Sequence, residues 1–301
     1  MPTVASKPQQ SDRSLITLTW VVVTLISALP DIFFSEITGS VPRWLLPSKL
    51  VFLGIMAVAS YFYKPTRPLH NFFLIMIAFF GLLELRSQFN FTIPSLQKLF
   101  GANVFDQRMQ AEQIGKLVVA VFMLLILFIL GYKRKEVFLT SGNLKAPIQP
   151  VKLLGFPKPE PWTRFGLLWS FCIAAGLGVV LYLGMKPSSS LFLKMVPILP
   201  SIIFYAALNS FNEEMIYRAP MLATLEPVSG SLNALWMAAY FFGISHYFGV
   251  PSGIIGALAS IFMGWVLSKA MLETRGLFWS WWIHLLSDIV IFSFLTMGLL
   301  Q

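Results

Sequence analysis

The chain has 301 residues, of which 56% are hydrophobic and only 12% charged, with a mean hydropathy of +0.74. So little polar surface cannot coat a soluble globule of this length, which excludes a soluble enzyme carrying one anchor and points to lipid as the solvent. The formal charge of +9 does not indicate nucleic acid, because the basic residues are spread between apolar runs instead of forming one module, so no nucleic-acid partner is expected.

Apolar runs bounded by charge, Pro or Gly recur along the chain, each long enough to cross a hydrocarbon core of about 30 Å. Taken in order they predict spans near 15–37, 48–63, 69–85, 115–132, 164–185, 195–217, 231–248, 253–271 and 277–299. The expected fold is therefore all-α, a polytopic transmembrane helix bundle of about eight or nine spans. Lys7 and Arg13 precede the first run, as they would in a signal peptide, yet Pro30 and Asp31 follow it without a small-x-small cleavage pattern, so it reads as an uncleaved first span. Most of the Lys and Arg residues then fall on the side that holds Lys7, Arg13 and Lys133 to Lys135, which predicts a cytoplasmic N-terminus.

Between the third and fourth spans, residues 86–113 are polar enough to leave the membrane, and a loop with a short amphipathic helix is expected there. The basic stretch from Lys133 to Arg164 carries Pro147, Pro150, Pro157, Pro159 and Pro161 and reads as an extended linker on the inner face. It divides the chain into N-terminal helices with their linker, 1–160, and a C-terminal membrane core, 161–301. Cys172, the one cysteine, lies in an apolar run and is expected to be a small packing residue. Trp279, Trp281 and Trp282 open the last span, where indoles suit the headgroup boundary.

An ionisable side chain at a helix centre costs about 2.5–3.5 kcal/mol on insertion scales, so charges inside spans need a reason. They gather between Asn209 and Asp288: Glu213, Glu214, Arg218, His246, His284 and Asp288. Glu214 and Arg218 are four positions apart and lie about 40° apart on a helix, within pairing reach. Glu213 lies about 140° from Arg218, stacks over Asn209 and Tyr217, and is left as the carboxylate free to react. His284 and Asp288 are also four apart, so the carboxylate can hold one imidazole nitrogen and aim the other into a cavity. A carboxylate and two imidazoles converging from three spans have the makings of a hydrolytic site. The bland readings are a polar network joining helices for Glu213, His246 and His284, a structural ion pair for Glu214 and Arg218, headgroup-level placement for His70, and pairing near span ends for Asp31, Glu36 and Glu84.

Glu-Glu-x-x-x-Arg at 213–218, Phe-x-x-x-His at 242–246 and His-x-x-x-Asp at 284–288, in that order, resemble the three motifs of the CAAX prenyl protease and bacteriocin-processing family. The resemblance covers about residues 200–291. It implies an intramembrane endopeptidase that opens a peptide bond near the C-terminus of a membrane-associated protein or peptide substrate, inside a helical core in the lipid bilayer. It places the catalytic glutamate at Glu213 and the catalytic histidine at His246, which together activate a water, and the oxyanion-stabilising residues at His284 and Asp288. Asn209, Glu214 and Arg218 support them.

The chain departs from the family in two places. Ala219 and Pro220 follow Arg218 where many members have Gly, so the helix is expected to end or bend there. Asp288 stands where prenyl-protein proteases have Asn, and an ionised Asp repels an oxyanion, which favours a role in orienting His284. Zinc is the alternative cofactor, held by Glu213, His246, His284 and Asp288; metal-free glutamate catalysis is preferred, since no His-Glu-x-x-His helix is present. A transporter or proton-coupled channel also keeps such residues in spans, but Pro197 and Pro200 interrupt one span with no counterpart in the other half. A non-catalytic immunity or scaffold protein is the third reading.

Overall fold

The computed structural model describes residues 13–101 and 103–301, and Lys7 lies outside them. About 80% of the chain is helical, and the described residues contain no strand. The helices are α1 (Arg13–Ile26), α2 (Leu29–Thr38), α3 (Leu45–Phe62), α4 (His70–Ser87), α5 (Pro94–Phe100), α6 (Val104–Ile129), α7 (Trp162–Met185), α8 (Ser189–Met195), α9 (Leu199–Glu213), α10 (Ala219–Ser245), α11 (Gly253–Thr274) and α12 (Phe278–Leu299).

Seven helical runs among the described residues are long and apolar enough to cross a membrane, or eight if α1 and α2, bent by 41°, form one broken span. One run, Ser189–Phe248, has 60 residues. At 1.5 Å per residue that is about 90 Å of helix, about three times the hydrocarbon core, so it cannot cross only once. The chain reverses at Gly230, whose φ of 78° and ψ of 159° lie outside helical space. Large apolar side chains such as Phe62, Ile129, Val51, Ile55, Leu183 and Ile255 stand exposed on the outside of the bundle. A water-facing surface would carry charge there; this one faces lipid, and the protein is an integral membrane protein.

The first helices and the last share a core. Val22 and Ile26 of α1, Phe72 and Phe79 of α4, Met123 of α6, Leu222 and Phe241 of α10 and Met271 of α11 bury one another. A second cluster joins the start of α6 to α9 and α12 through Phe105, Tyr205 and Phe292. Small residues set the closest approach. A Cβ on Gly243 would sit 2.3 Å from the Ile261 backbone nitrogen, so α10 and α11 touch backbone to backbone just before His246.

The fold adds detail to three expectations. The region 86–113 does contain a short helix, α5, but α6 begins at Val104, eleven residues before the predicted span. Asn103 caps it, its side chain accepting from the Asp106 N–H at 2.9 Å. The Pro-rich linker is largely extended, as expected, and is strapped to the α11–α12 turn: Asn143 N–H donates to Thr274 O and Leu277 N–H to Thr140 O, both at 2.8 Å. Trp162 Nε1 also donates to Glu273 at 2.9 Å. Two tryptophans of α12 bond to neighbouring backbone, Trp279 donating to Leu144 O at 3.0 Å and Trp281 to Ala207 O at 2.9 Å.

The residues near span ends find partners. Lys49 pairs with Asp31, Tyr247 donates to Glu36 at 2.6 Å, Gln88 Nε2 reaches Glu84 at 3.4 Å, and His70 Nδ1 meets Ser60 Oγ at 2.9 Å.

Candidate active site

Glu213 ends α9, and a single π turn, Glu214–Arg218, carries the chain into α10. The expected end or bend after Arg218 does not occur. Pro220 has no N–H to give Ile216 O and its ring would clash with that carbonyl in an α-helix. The widened turn removes the conflict, with Ala219 N–H bonded to Glu214 O five residues back. Consecutive positions of a helix lie about 100° apart, so Glu213 and Glu214 face different sides.

Glu214 is fully enclosed and faces inward. Its carboxylate accepts from Arg218 Nη1 and from Ser280 Oγ, and His284 Nδ1 lies 2.9 Å from its Oε1. The pairing expected for Glu214 and Arg218 is present, with both side chains buried. Arg218 also stacks on the Phe242 ring, 4.6 Å from its centroid. The same ring packs against His246 at 4.4 Å and His284 at 5.9 Å. Phe242 therefore spaces the two imidazoles.

Glu213 turns the other way, into a cavity of about 480 Å³ lined also by Lys116, Asn209, His246, His284 and Asp288. His284 Nε2 is 3.5 Å from Glu213 Oε2 and 3.6 Å from Asp288 Oδ2. The ring is thus held through Nδ1 by Glu214, and Asp288, expected to hold it, lies on its Nε2 side. Asp288 Oδ2 in turn lies 2.9 Å from Asn209 Nδ2 and 2.9 Å from Ser210 Oγ. His246 follows the C-terminus of α10, with Nδ1 2.9 Å from Phe242 O.

Glu213 is not the free carboxylate that helical spacing predicts. Lys116 Nζ donates to its Oε1 at 2.8 Å, to Asn209 Oδ1 at 2.8 Å, and stands 3.3 Å from Glu112 Oε1. This lysine on α6 was absent from the candidate set. Placed at the start of a span, it reads as a rim residue; the true start of α6 puts it three turns inside. The Asn103-x-x-Asp106 cap is the sequence signal that locates that start.

Towards the bilayer the cavity becomes apolar, with Ile173, Leu177, Ile255, Phe262 and Met263 on its walls. Cys172 is exposed and lines this part, so it is not a packing residue. Glu112, Val180, Val250, Pro251, Ile291 and Phe292 also line a neighbouring cavity of about 980 Å³, which reaches Arg108 and the C-terminal ends of α7 and α12. The two form a vestibule and an inner chamber.

The proposed zinc set tests poorly against these contacts. Among the described residues no group of three or more His, Cys, Asp or Glu side chains is arranged to hold a metal ion. Glu213 already has an ammonium on one oxygen, and a cation beside it would meet that like charge.

Residues 194–290 match the family model described as Type II CAAX prenyl endopeptidase Rce1-like. No curated protein and no solved structure matches the chain. The matched segment includes Asn209, Glu213, Glu214, Arg218, His246, His284 and Asp288 and leaves Lys116 outside.

Proposed function

We propose, for a chain whose residues 194–290 match an Rce1-like family model, that it is an intramembrane endopeptidase using a glutamate-activated water on a membrane-associated protein or peptide. The observation that carries this reading is the convergence of Glu213, His246, His284 and Asp288 on one chamber within the spans. Four ionisable side chains there would cost far more than packing could return unless they served one site.

Glu213 Oε2 is the oxygen that takes the proton of the attacking water, since Oε1 is occupied by Lys116. His246, in the same chamber, shares that water and later protonates the leaving amine. His284 has carboxylates beside both nitrogens, Glu214 at Nδ1 and Glu213 with Asp288 at Nε2. Held in this way, the ring is placed to donate from Nε2 to the developing oxyanion. Asp288, held by Asn209 and Ser210, orients the His284 ring and does not itself meet the oxyanion. The ammonium of Lys116 on Glu213 Oε1 disfavours a metal cation at that carboxylate.

The apolar vestibule suits a substrate delivered from the bilayer, its scissile bond entering the chamber where Glu213 lies. With the N-terminus cytoplasmic, as the basic residues favour, the vestibule opens on the opposite face. The test uses purified full-length protein in proteoliposomes with an internally quenched peptide ending in a farnesylated CAAX sequence. Glu213→Gln is expected to keep its melting temperature within a few degrees and to lose cleavage; an unchanged rate removes the mechanism.

A further inference from the structure

We infer that Lys116 is a positioning residue for Glu213, supplied to the site by the N-terminal helices from outside the matched segment. The inference rests on the reading of Glu213 as the base and extends it to a residue with no place in the three motifs.

An ammonium has three N–H donors. Lys116 faces three acceptors, Glu213 Oε1 at 2.8 Å, Asn209 Oδ1 at 2.8 Å and Glu112 Oε1 at 3.3 Å. Two donors are hydrogen-bonded to Glu213 and Asn209 and the charge also faces the Glu112 carboxylate, so the side chain acts through its partners. It holds Oε1 of Glu213 and so fixes the rotamer in which Oε2 faces the chamber and His284, at 3.5 Å from Nε2.

Its position also settles the orientation of Asn209. With Oδ1 on the ammonium, Nδ2 donates to Asp288 at 2.9 Å; the flipped amide would put N–H against ammonium and oxygen against carboxylate. One cation thereby sets both acidic residues of the chamber, Glu213 directly and Asp288 through Asn209. Without it, Glu213, Asp288 and Glu112 face one cavity with only the imidazoles to balance them.

The experiment has two arms on the full-length protein. In the first, melting temperatures are measured for Lys116→Met, Glu213→Gln and the double variant. Lys116→Met alone is expected to melt several degrees lower, because it leaves Glu213 without its cation, and the double variant to recover most of that loss. In the second arm, the farnesylated peptide reports kcat and KM. Lys116→Met is expected to lose kcat by about 10- to 100-fold with KM within about twofold, as when an orienting partner is removed from a reactive group. Lys116→Arg keeps most of the activity, and ethylammonium added to Lys116→Ala restores part of it.

A rise in KM with kcat intact overturns the inference by making Lys116 a substrate contact. Equal loss in the Met and Arg variants with no amine rescue also overturns it, reducing the lysine to packing. If Glu213→Gln still cleaves, the base assignment fails while the melting cycle continues to report the Lys116–Glu213 coupling. The two failures are therefore separable.

Discussion

His284 Nδ1 lies 2.9 Å from Glu214 Oε1, and Glu214 is itself fixed by Arg218 and Ser280. The second motif glutamate is thereby an orienting group enclosed in the helix packing, whereas the first faces the chamber. The two neighbours should respond differently to the same substitution. Glu214→Gln removes the anion from a fully buried pair and strands the Arg218 guanidinium, a loss of about 3–5 kcal/mol. Glu213→Gln keeps its shape at the chamber wall and leaves Lys116 facing Asn209 and Glu112. Thermal melts in one detergent should show Glu214→Gln well below Glu213→Gln; equal melting temperatures would contradict the division of roles.

How much of this was legible in the sequence follows from what lipid does to charge. Glu213, Glu214, Arg218, His246, His284 and Asp288 stand out because each interrupts an apolar run, and the same contrast located most spans. Lys116 did not stand out. The first turns of α6 carry Asp106, Gln110, Glu112 and Gln113, and hydropathy reads such a stretch as outside the membrane. Asp106, Gln110 and Gln113 are buried against the protein, so the stretch is polar because its neighbour is protein, which a single-residue scale cannot express. The π turn was hidden for a related reason: Pro220 signals a conflict in the helix but not whether the chain resolves it by ending or by widening.

Asp288 accepts from Asn209 Nδ2 through Oδ2, and an Asn side chain can keep that acceptor while adding a donor on its other atom. Asp288→Asn is therefore expected to keep part of the activity, because the amide oxygen still accepts from Asn209 and faces His284 Nε2 although the orienting charge is lost. Asp288→Ala provides neither group and should lose about 10- to 100-fold in kcat. Steady-state rates for the pair check the claim, and equal loss in both would show that the carboxylate charge, not the hydrogen-bonded oxygen, is what the position supplies.

The approach of α10 to α11 at Gly243 leaves no room for a side chain. Gly243→Val forces the helices apart three residues before His246, at a cost of about 1–3 kcal/mol from overpacking. The displaced histidine should lower kcat beyond what the melting shift accounts for. A variant that melts lower yet turns over normally would place His246 outside the chemistry.

If the reaction runs on Glu213 and a water held without a metal, chelation leaves it intact. Prolonged dialysis against 1,10-phenanthroline or EDTA should change neither rate nor melting temperature. Loss of activity that returns on adding zinc would replace the glutamate mechanism with a metal one and would require Lys116 to leave Glu213.

Cys172 is the one thiol in the chain and lines the apolar side of the chamber from α7, exposed. That makes it a natural reporter for the route by which a substrate arrives. A small neutral maleimide that reaches Cys172 adds bulk where the peptide must pass between α7 and α11, so modification should abolish cleavage in proportion to labelling. Cys172→Ser should be insensitive and otherwise active, since the cysteine belongs to no polar contact of the site. Preincubation with the farnesylated peptide on Glu213→Gln, which binds without turning over, should slow the labelling. Labelling that runs to completion with no effect on rate would show that the path from the vestibule to Glu213 does not pass Cys172.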